Sequence, residues 1–434
     1  MSTRAMHLAA FFQGVSNSAR WRDPSHGDQI SFDTFVRFVR RLEEAHFDAF
    51  FLAEGLRVRE HGDRFLEIGV AGRPDSLPVL SALAAVTTHI GLAATLNTTF
   101  NEPYELARQL ATLDHLSGGR TAWNVVTTND AWHGANFRRG GYLPHADRYS
   151  RAEEFLQLSA QLWRSWKDRQ LADAGVFEHG GQHFPVQGRF NVPTSPQGGP
   201  VLFQAGASPQ GRDFAARHVD VVFSPFIERA AAAAFADDMS SRLASVGRTR
   251  SSLVILPGAD VVVGDTIAEA WEKEHDLRRQ ATSPASALFL ASQVWGVDLT
   301  DRDPFGPLPD FPPVLDGPME FLTSFELGNR AALVARWREL SEGSQLNLHD
   351  TAIAAARKST LVGTPREVAR TMTDMVQAGE CDGFMLTPDL LPHGLDDFLV
   401  RVVPELCQMG SFREEYTGTT LRGHLGLGGQ PGRT

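Results

Sequence analysis

Cysteine is nearly absent from the chain. The only two, Cys381 and Cys407, lie far apart and form no CxxC pair, and the fifteen histidines follow no metal-ligand spacing. Neither a disulfide framework nor a metal site is therefore supported, and a reducing cytoplasm fits best. No apolar run approaches membrane-spanning length, and the opening stretch 7–12 is too short for the core of a signal peptide. The sequence predicts a cytoplasmic protein without a resident metal.

An excess of positive charge is also missing, because 41 Lys and Arg face 52 Asp and Glu for a net charge of -11. This balance argues against nucleic acid or an anionic membrane as the main partner, since both require clustered cations. The motifs GxGxxG after a strand, GxxxxGK[ST], HExxH and GxSxG are absent. A dinucleotide fold, a P-loop, a zincin site and a hydrolase elbow therefore lack support. A small molecule is the expected ligand.

What the chain does contain is a repeated alternation of short apolar runs and amphipathic stretches. Its length of 434 residues and its 42% hydrophobic content allow either one barrel with insertions or two to three smaller domains. The predicted strands are 8–12, 49–53, 90–95, 121–127, 201–204, 219–223, 253–263 and 381–387. A helical pattern follows each strand. Eight such alternations predict an α/β fold, a (β/α)8 TIM barrel, with a doubly wound sheet as the alternative.

Three segments interrupt this regularity. Residues 167–200, rich in Gly, Pro and Gln, predict an irregular excursion or a hairpin, and about 281–350 predict an insertion at the barrel mouth. The tail 411–434 turns polar and glycine-rich, so its end is expected to be mobile. The chain is interpreted as a single domain, 1–434, with these additions.

The stretch 117–149 holds the first candidate site, because ligands of parallel α/β folds bind beyond the carboxyl ends of the strands. His145 and Tyr149 are four residues apart at the start of a helix, so their side chains share a face. Free N–H groups and the helix dipole favour a phosphate there. In the alternative interpretation Asp147 caps the helix and the two side chains only pack.

A second candidate is the segment QAGASPQG, 204–211, where Ser208 suits an N-cap and Pro209 suits the first helical position. It predicts a second helix N-terminus at the same rim, or simply a well-capped turn. Polar side chains in or at the ends of three apolar strands need hydrogen-bond partners, which either a heteroaromatic ligand or ordinary loop contacts would supply: Glu54, Thr95, Asn97 and Asn124.

At these residues the sequence resembles the bacterial-luciferase-like flavin monooxygenases. It is most similar to the subgroup of nitrilotriacetate and dibenzothiophene-sulfone monooxygenases and pristinamycin IIA synthase. The resemblance covers nearly the whole chain. It rests on ARWRDP, TTHIGLAATLNTTFNEPYELARQLATLDHLSGGRTAWNVVTT, HADRYSRAEEF, SPQGGPVLFQAGASPQGRDFAARH, LVGTPREVA, and GLDDFLVRVVPEL through EEYTGTTLRGHLGL.

The resemblance implies a TIM barrel that binds reduced FMN (FMNH2), delivered by a separate NAD(P)H:flavin reductase. Carried over by position, His145, Tyr149 and Ser208 with the Ala207 backbone would hold the FMN phosphate. Thr95 and Asn124 would lie against the flavin ring, and Glu54 stands where the family usually has Asp.

The implied reaction forms a flavin peroxide from FMNH2 and O2 and oxygenates a small organic substrate. The expected hydrogen-bond donors to that oxygen are Asn124, Thr127, Thr128 and His133, and the insertion at about 281–350 is the expected lid. A homodimer or homotetramer is the family expectation. Two rival hypotheses stay open: a flavin-binding or sensing barrel without turnover, and a barrel hydrolase or aldolase acting on a phosphorylated substrate.

Overall fold

We describe the protein from a computed structural model. It describes residues 4–12, 30–57, 74–128, 134, 136–137, 145–166, 170–315, 330–356, 360–388 and 393–428. The strands in chain order are β1 (His7–Phe12), β2 (Ala49–Leu52), β3 (Gly91–Asn97), β4 (Thr121–Val126), β5 (Val176–Gly180), β6 (Pro185–Arg189), β7 (Val201–Ala205), β8 (Val221–Ser224), β9 (Val254–Ala259), β10 (Val261–Val263), β11 (Leu361–Gly363) and β12 (Gly383–Leu386).

The helices are α1 (Phe32–Glu44), α2 (Ser76–Ala84), α3 (Pro103–Leu116), α4 (His145–Arg164), α5 (Pro209–His218), α6 (Arg229–Ser245), α7 (Ile267–Ala281), α8 (Pro284–Trp295), α9 (Arg330–Ser344), α10 (Leu348–Ala355), α11 (Pro365–Gln377), α12 (His393–Asp397), α13 (Val403–Gln408) and α14 (Leu421–His424). A 3₁₀ turn (Arg250–Ser252) precedes β9, and a π-helical stretch (Phe398–Val402) joins α12 to α13. Within the described ranges, no helix combines the length and the apolar character needed to cross a membrane.

Eight strands close into a parallel barrel in the order β1, β12, β9, β8, β7, β4, β3, β2. The predicted (β/α)8 barrel is confirmed, and the doubly wound alternative was wrong. Side chains alternate between the two faces of each strand. In β4, for example, Ala122 packs inside the barrel while Trp123 packs outward against Phe155 of α4. This alternation decides which polar residues face the barrel interior.

The prediction of a single seventh strand over 253–263 was wrong, because the structure forms two shorter strands there, β9 and β10. The chain leaves the barrel at Asp260, where the carbonyl oxygen accepts hydrogen bonds from the N–H groups of Thr360 and Leu361. The residues that follow form β10, which pairs in parallel with β11 in a separate two-stranded sheet. Continuous apolar character could not reveal this break, because both short strands are made of the same residue types.

Two of the three predicted excursions have regular structure of their own. Segment 167–200 contains the antiparallel hairpin β5–β6, which was one of the two expected forms. The long insertion contains α8, α9 and α10, which pack around a separate apolar cluster that includes Trp295 and Trp337, with ring centroids 5.8 Å apart. Arg278 of α7 ties this unit to the barrel by donating to the Ile353 carbonyl at 3.0 Å.

The C-terminal segment closes the N-terminal end of the barrel. Leu421, Leu425 and Leu427 join the apolar cluster of the barrel interior, and Arg422 forms a buried ion pair with Asp220 at 3.0 Å. Residues 411–428 are therefore part of the folded core rather than a loose tail. The extreme end, 429–434, for which mobility was expected, lies outside the described residues.

Candidate active site

The C-terminal mouth of the barrel carries a layer of polar side chains above an apolar floor. Ala93 and Ala122 belong to the interior cluster, so the alternation along β3 and β4 turns Thr95, Asn97 and Asn124 to the same face. Thr95 and Asn124 are register partners, and Asn124 Nδ2 donates to Thr95 Oγ1 at 3.2 Å. Two residues predicted from separate strands thus form one hydrogen-bonded pair.

The amide oxygen of Asn124 is available to accept a hydrogen bond from a ligand. Its Oδ1 atom is buried and has no hydrogen-bond partner within the described part of the chain. A buried amide oxygen without a partner costs about 1–3 kcal/mol, so such a group calls for a donor from an ordered water or a ligand. The side chain therefore suits a ligand that offers a hydrogen-bond donor, such as a flavin ring.

Glu54 lies just beyond β2 and is paired with Asn97. The Asn97 Nδ2 atom donates to Glu54 Oε1 at 3.0 Å. Burial raises the pKa of Glu54 to about 7, against a smaller lowering by its hydrogen bonds to Asn97. Both residues line a cavity of about 680 Å³ that extends between α2 and α3. A carboxyl group with this pKa can either donate or accept a hydrogen bond near neutral pH.

Thr127 and Thr128 follow β4 directly. The Thr127 carbonyl accepts from Thr99 Oγ1 at 2.9 Å. Thr128 has a backbone φ of 42°, and its Oγ1 is buried without a hydrogen-bond partner in the ranges described. Both residues lie at the C-terminal end of β4, at the mouth of the barrel. The fourth predicted oxygen-side residue, His133, lies outside the described residues.

A second polar group lies where α4 meets the first turn of α5. Ser208 is the N-cap of α5, and its Oγ accepts from the Gly211 N–H at 3.1 Å. A Cβ atom at Gly211 would lie 3.2 Å from Ser208 Oγ and 3.5 Å from the Tyr149 hydroxyl. The predicted Tyr149 and the predicted helix N-terminus therefore meet, and glycine is what allows this close approach.

The structure says less about Ala207 and His145, the other two residues predicted to hold the phosphate. The Ala207 carbonyl accepts from Arg212 Nε at 2.9 Å, which fixes the turn before α5. His145 is the first residue of α4, but its side chain lies outside the described part. The arrangement of Tyr149, Ser208 and the α5 N-terminus suits an anion, because the first turn of a helix and the helix dipole favour negative charge.

Gln204, at the end of β7, belongs to the candidate segment 204–211, although no role of its own was predicted for it from the sequence. Its side chain is 5% exposed, and its Oε1 has no hydrogen-bond partner among the residues described. Its Nε2 lies 3.1 Å from where a Cβ of Gly206 would be, and Gly206 in turn lies beside Gly211. The signal was present, because a polar residue ending the apolar run VLFQA meets the criterion that selected Asn124.

Metal binding finds no support in the described ranges, where no group of three or more His, Cys, Asp or Glu side chains is arranged to hold an ion. The site is thus a mouth of polar, mostly uncharged side chains beside an anion-binding corner. This combination fits an organic cofactor that carries a phosphate.

Comparison with known proteins agrees with this geometry. The model of the luciferase-like monooxygenase family matches residues 12–380. The chain belongs to this family. It is 37% identical to nitrilotriacetate monooxygenase component A of Aminobacter aminovorans, over 98% of the chain and 97% of the relative. It is 34% identical to dibenzothiophene-sulfone monooxygenase of Rhodococcus erythropolis (strain XP), over 98% and 97%.

A solved structure extends the similarity to the fold. The crystal structure of a riboflavin lyase with modified FMN and the substrate riboflavin superposes with a TM-score of 0.78 at 29% identity, covering 97% of this chain and 96% of that one. The resemblance inferred from the sequence motifs is therefore confirmed. This luciferase-like protein is a flavin-dependent monooxygenase by class.

Proposed function

We propose that this chain is the oxygenase component of a two-component monooxygenase. In this proposal it takes up reduced FMN from a separate NAD(P)H:flavin reductase and inserts one atom of O2 into a small organic substrate. The observation that carries the proposal is the corner formed by Tyr149, Ser208 and Gly211 after β7, together with Asn124 on the neighbouring strand β4, whose buried amide oxygen has no hydrogen-bond partner among the described residues.

These residues fit FMN group by group. Tyr149, His145, Ser208 and the Ala207 backbone would hold the phosphate, and the buried Gln204 amide lies close enough to add a further polar contact. Thr95, Asn124 and Glu54 would face the ring. When bound, reduced FMN supplies the two electrons that activate O2.

The protein's own part is to bind, orient and exclude water. The apolar floor below the polar layer includes Phe51 and Phe203, whose ring centroids are 6.2 Å apart. Asn124, Thr127, Thr128 and His133 are the proposed hydrogen-bonding groups on the oxygen side. The helical unit within 281–350 is the proposed lid, which would reduce the access of water to the ring.

Two observations support a separate reductase: the missing dinucleotide fingerprint and the name of a relative. The sequence has no dinucleotide fingerprint, so nothing in it predicts a site for NAD(P)H. The similar protein from Aminobacter aminovorans is named component A, which indicates a partner component in that system. For the present chain, an assembly of two or four copies remains the expectation carried over from the family.

The test is a pair of measurements on the purified chain. Anaerobic titration should show tighter binding of reduced than of oxidised FMN. Incubation with a flavin reductase, NADH and ¹⁸O2 over a panel of aminocarboxylates, aromatic sulfones, alkanes and thioethers should yield a product with one labelled oxygen. Absence of flavin binding in both redox states would refute the proposal. Stable FMN binding with no labelled product from any class would favour the sensing protein, and turnover that is independent of FMN would favour the hydrolase.

A further inference from the structure

Thr128 has an unusual backbone conformation for its residue type. It follows β4 by two residues and has φ of 42°, in the left-handed region, although its side chain is branched at Cβ. The branched side chain clashes with the backbone in this region, so the conformation is strained. Neighbouring contacts must therefore hold the residue in place.

Those contacts act on three successive carbonyl groups. The Val126 oxygen accepts from the Thr98 N–H at 2.9 Å, and the Thr127 oxygen accepts from Thr99 Oγ1 at 2.9 Å. The Thr128 oxygen accepts from Arg148 Nη1 at 2.7 Å. Arg148 is only 6% exposed, and a charged donor in a buried setting makes a stronger hydrogen bond than a neutral one. Arg148 is thus the strongest of these three supports.

The Thr128 side chain adds a second unfavourable feature. Its hydroxyl oxygen is buried and has no hydrogen-bond partner in the part of the chain described. Strained backbone and an unpaired buried hydroxyl at one residue are hard to explain by stability alone. Both occur at the C-terminal end of a barrel strand, four residues beyond Asn124, where functional residues of such barrels lie.

We propose that Arg148 is a positioning residue that holds Thr128 in this conformation and so keeps the Thr128 hydroxyl available to the oxygen side of the flavin. The inference rests on the proposed FMN-dependent function. Arg148 is adjacent in sequence to Tyr149, whose hydroxyl lies at the α5 N-terminus, so the first turns of α4 serve both halves of the site. Arg148 acts through Thr128, whereas Tyr149 acts on the phosphate.

The experiment compares Thr128→Val, Arg148→Met, the double variant, and Arg37→Met on the exposed face of α1 as the matched control. Thr128→Val removes only the hydroxyl and keeps the branched shape. Affinity for oxidised FMN is measured by fluorescence titration. The second measurement mixes the FMNH2 complex with O2 in the absence of substrate. In that reaction two electrons and two protons pass from FMNH2 to O2, giving FMN and H2O2.

We expect all variants to bind FMN within about threefold of the wild type, because the phosphate site is intact. Thr128→Val and Arg148→Met should each release H2O2 about fivefold faster, the effect of losing one hydrogen bond, and the double variant should match the single variants. Arg148→Lys, which keeps the charge but not the planar fork, should give an intermediate rate. It also serves as the test if Arg148→Met fails a thermal-unfolding check.

Additive effects in the double variant would overturn the proposal, since Arg148 would then act independently of Thr128. So would a tenfold loss of FMN affinity in Arg148→Met with riboflavin affinity unchanged, which would place Arg148 on the phosphate. A wild-type protein that binds no flavin would instead refute the proposed function itself, so the two failures are distinguishable.

Discussion

Replacing Glu54 by Gln should change how the stability of this protein depends on pH. The substitution keeps the size of the side chain and an oxygen that can accept from Asn97 Nδ2, and it removes only the ionisation. Burial holds the pKa of the Glu54 carboxyl at about 7, above its ordinary value of 4.5. The folded chain therefore binds a proton at Glu54 over a range in which the unfolded chain has lost it.

The sign and the size of the effect on the free energy of unfolding follow from this difference in pKa. Because the folded pKa is raised, the protonated carboxyl stabilises the fold fully below pH 4.5, and this contribution is lost as the pH rises through 7. Each tenfold change in proton affinity corresponds to about 1.4 kcal/mol, so a rise from 4.5 to about 7 corresponds to about 3 kcal/mol. Partial exposure of the side chain at the cavity screens the charge and brings the expected effect to about 1–3 kcal/mol.

Urea unfolding of the wild type and Glu54→Gln, in parallel from about pH 5 to about pH 8, measures this effect. The variant should gain stability relative to the wild type as the pH rises, with the gain levelling off above pH 7. Glu339→Gln, which removes the same charge from an exposed position on α9, should show no such trend. Parallel curves for the wild type and Glu54→Gln would falsify the assignment of a buried carboxyl with a raised pKa.

Three further predictions concern other parts of the fold. Tyr149→Phe should weaken FMN binding by about 1–3 kcal/mol in calorimetric titrations and leave riboflavin, which lacks the phosphate, unaffected; equal losses for both ligands would contradict the phosphate role. Burial lowers the pKa of His424 below 6.5, so its contribution to stability is lost as the pH falls below that value. In urea unfolding, His424→Gln should therefore reduce the loss of stability between about pH 7 and about pH 5. An unchanged dependence of stability on pH would contradict the lowered pKa of His424. Arg422→Met should lower the free energy of unfolding by about 3–5 kcal/mol because it removes one member of a buried ion pair, and adding Asp220→Asn should restore part of this loss.

The His424 and Arg422 predictions share one structural cause. Both residues belong to the C-terminal segment that closes the N-terminal end of the barrel. His424 packs against Tyr416, with ring centroids 4.9 Å apart, and donates to the Gly418 carbonyl at 2.8 Å. Tyr416 in turn donates to the Phe47 carbonyl at 2.7 Å. These contacts connect the end of the chain to the start of β2 and lie at the opposite end of the barrel from the candidate site.

The sequence pattern predicted the architecture, which the structure confirms, and it predicted several residues of the candidate site. Apolar runs separated by amphipathic stretches require strands covered by helices, and eight repeats of that unit form a closed barrel. Local rules also located Ser208 as a helix cap and Asn124 at the end of a buried strand. These features depend on residues close together in the chain, which is why a pattern reveals them.

Tertiary structure alone decided the rest. The contact of Tyr149 with the first turn of α5 joins residues about sixty positions apart, and no local pattern specifies such a distance. The pKa of Glu54 depends on burial by neighbours from other elements, and the φ of Thr128 is held by Arg148 of α4. That the Gln204 Oε1 atom has no hydrogen-bond partner among the described residues is visible only in the tertiary structure. The spacing of apolar residues along the sequence indicates which face of a strand or helix is buried. Which buried groups contact each other is set only when the barrel closes.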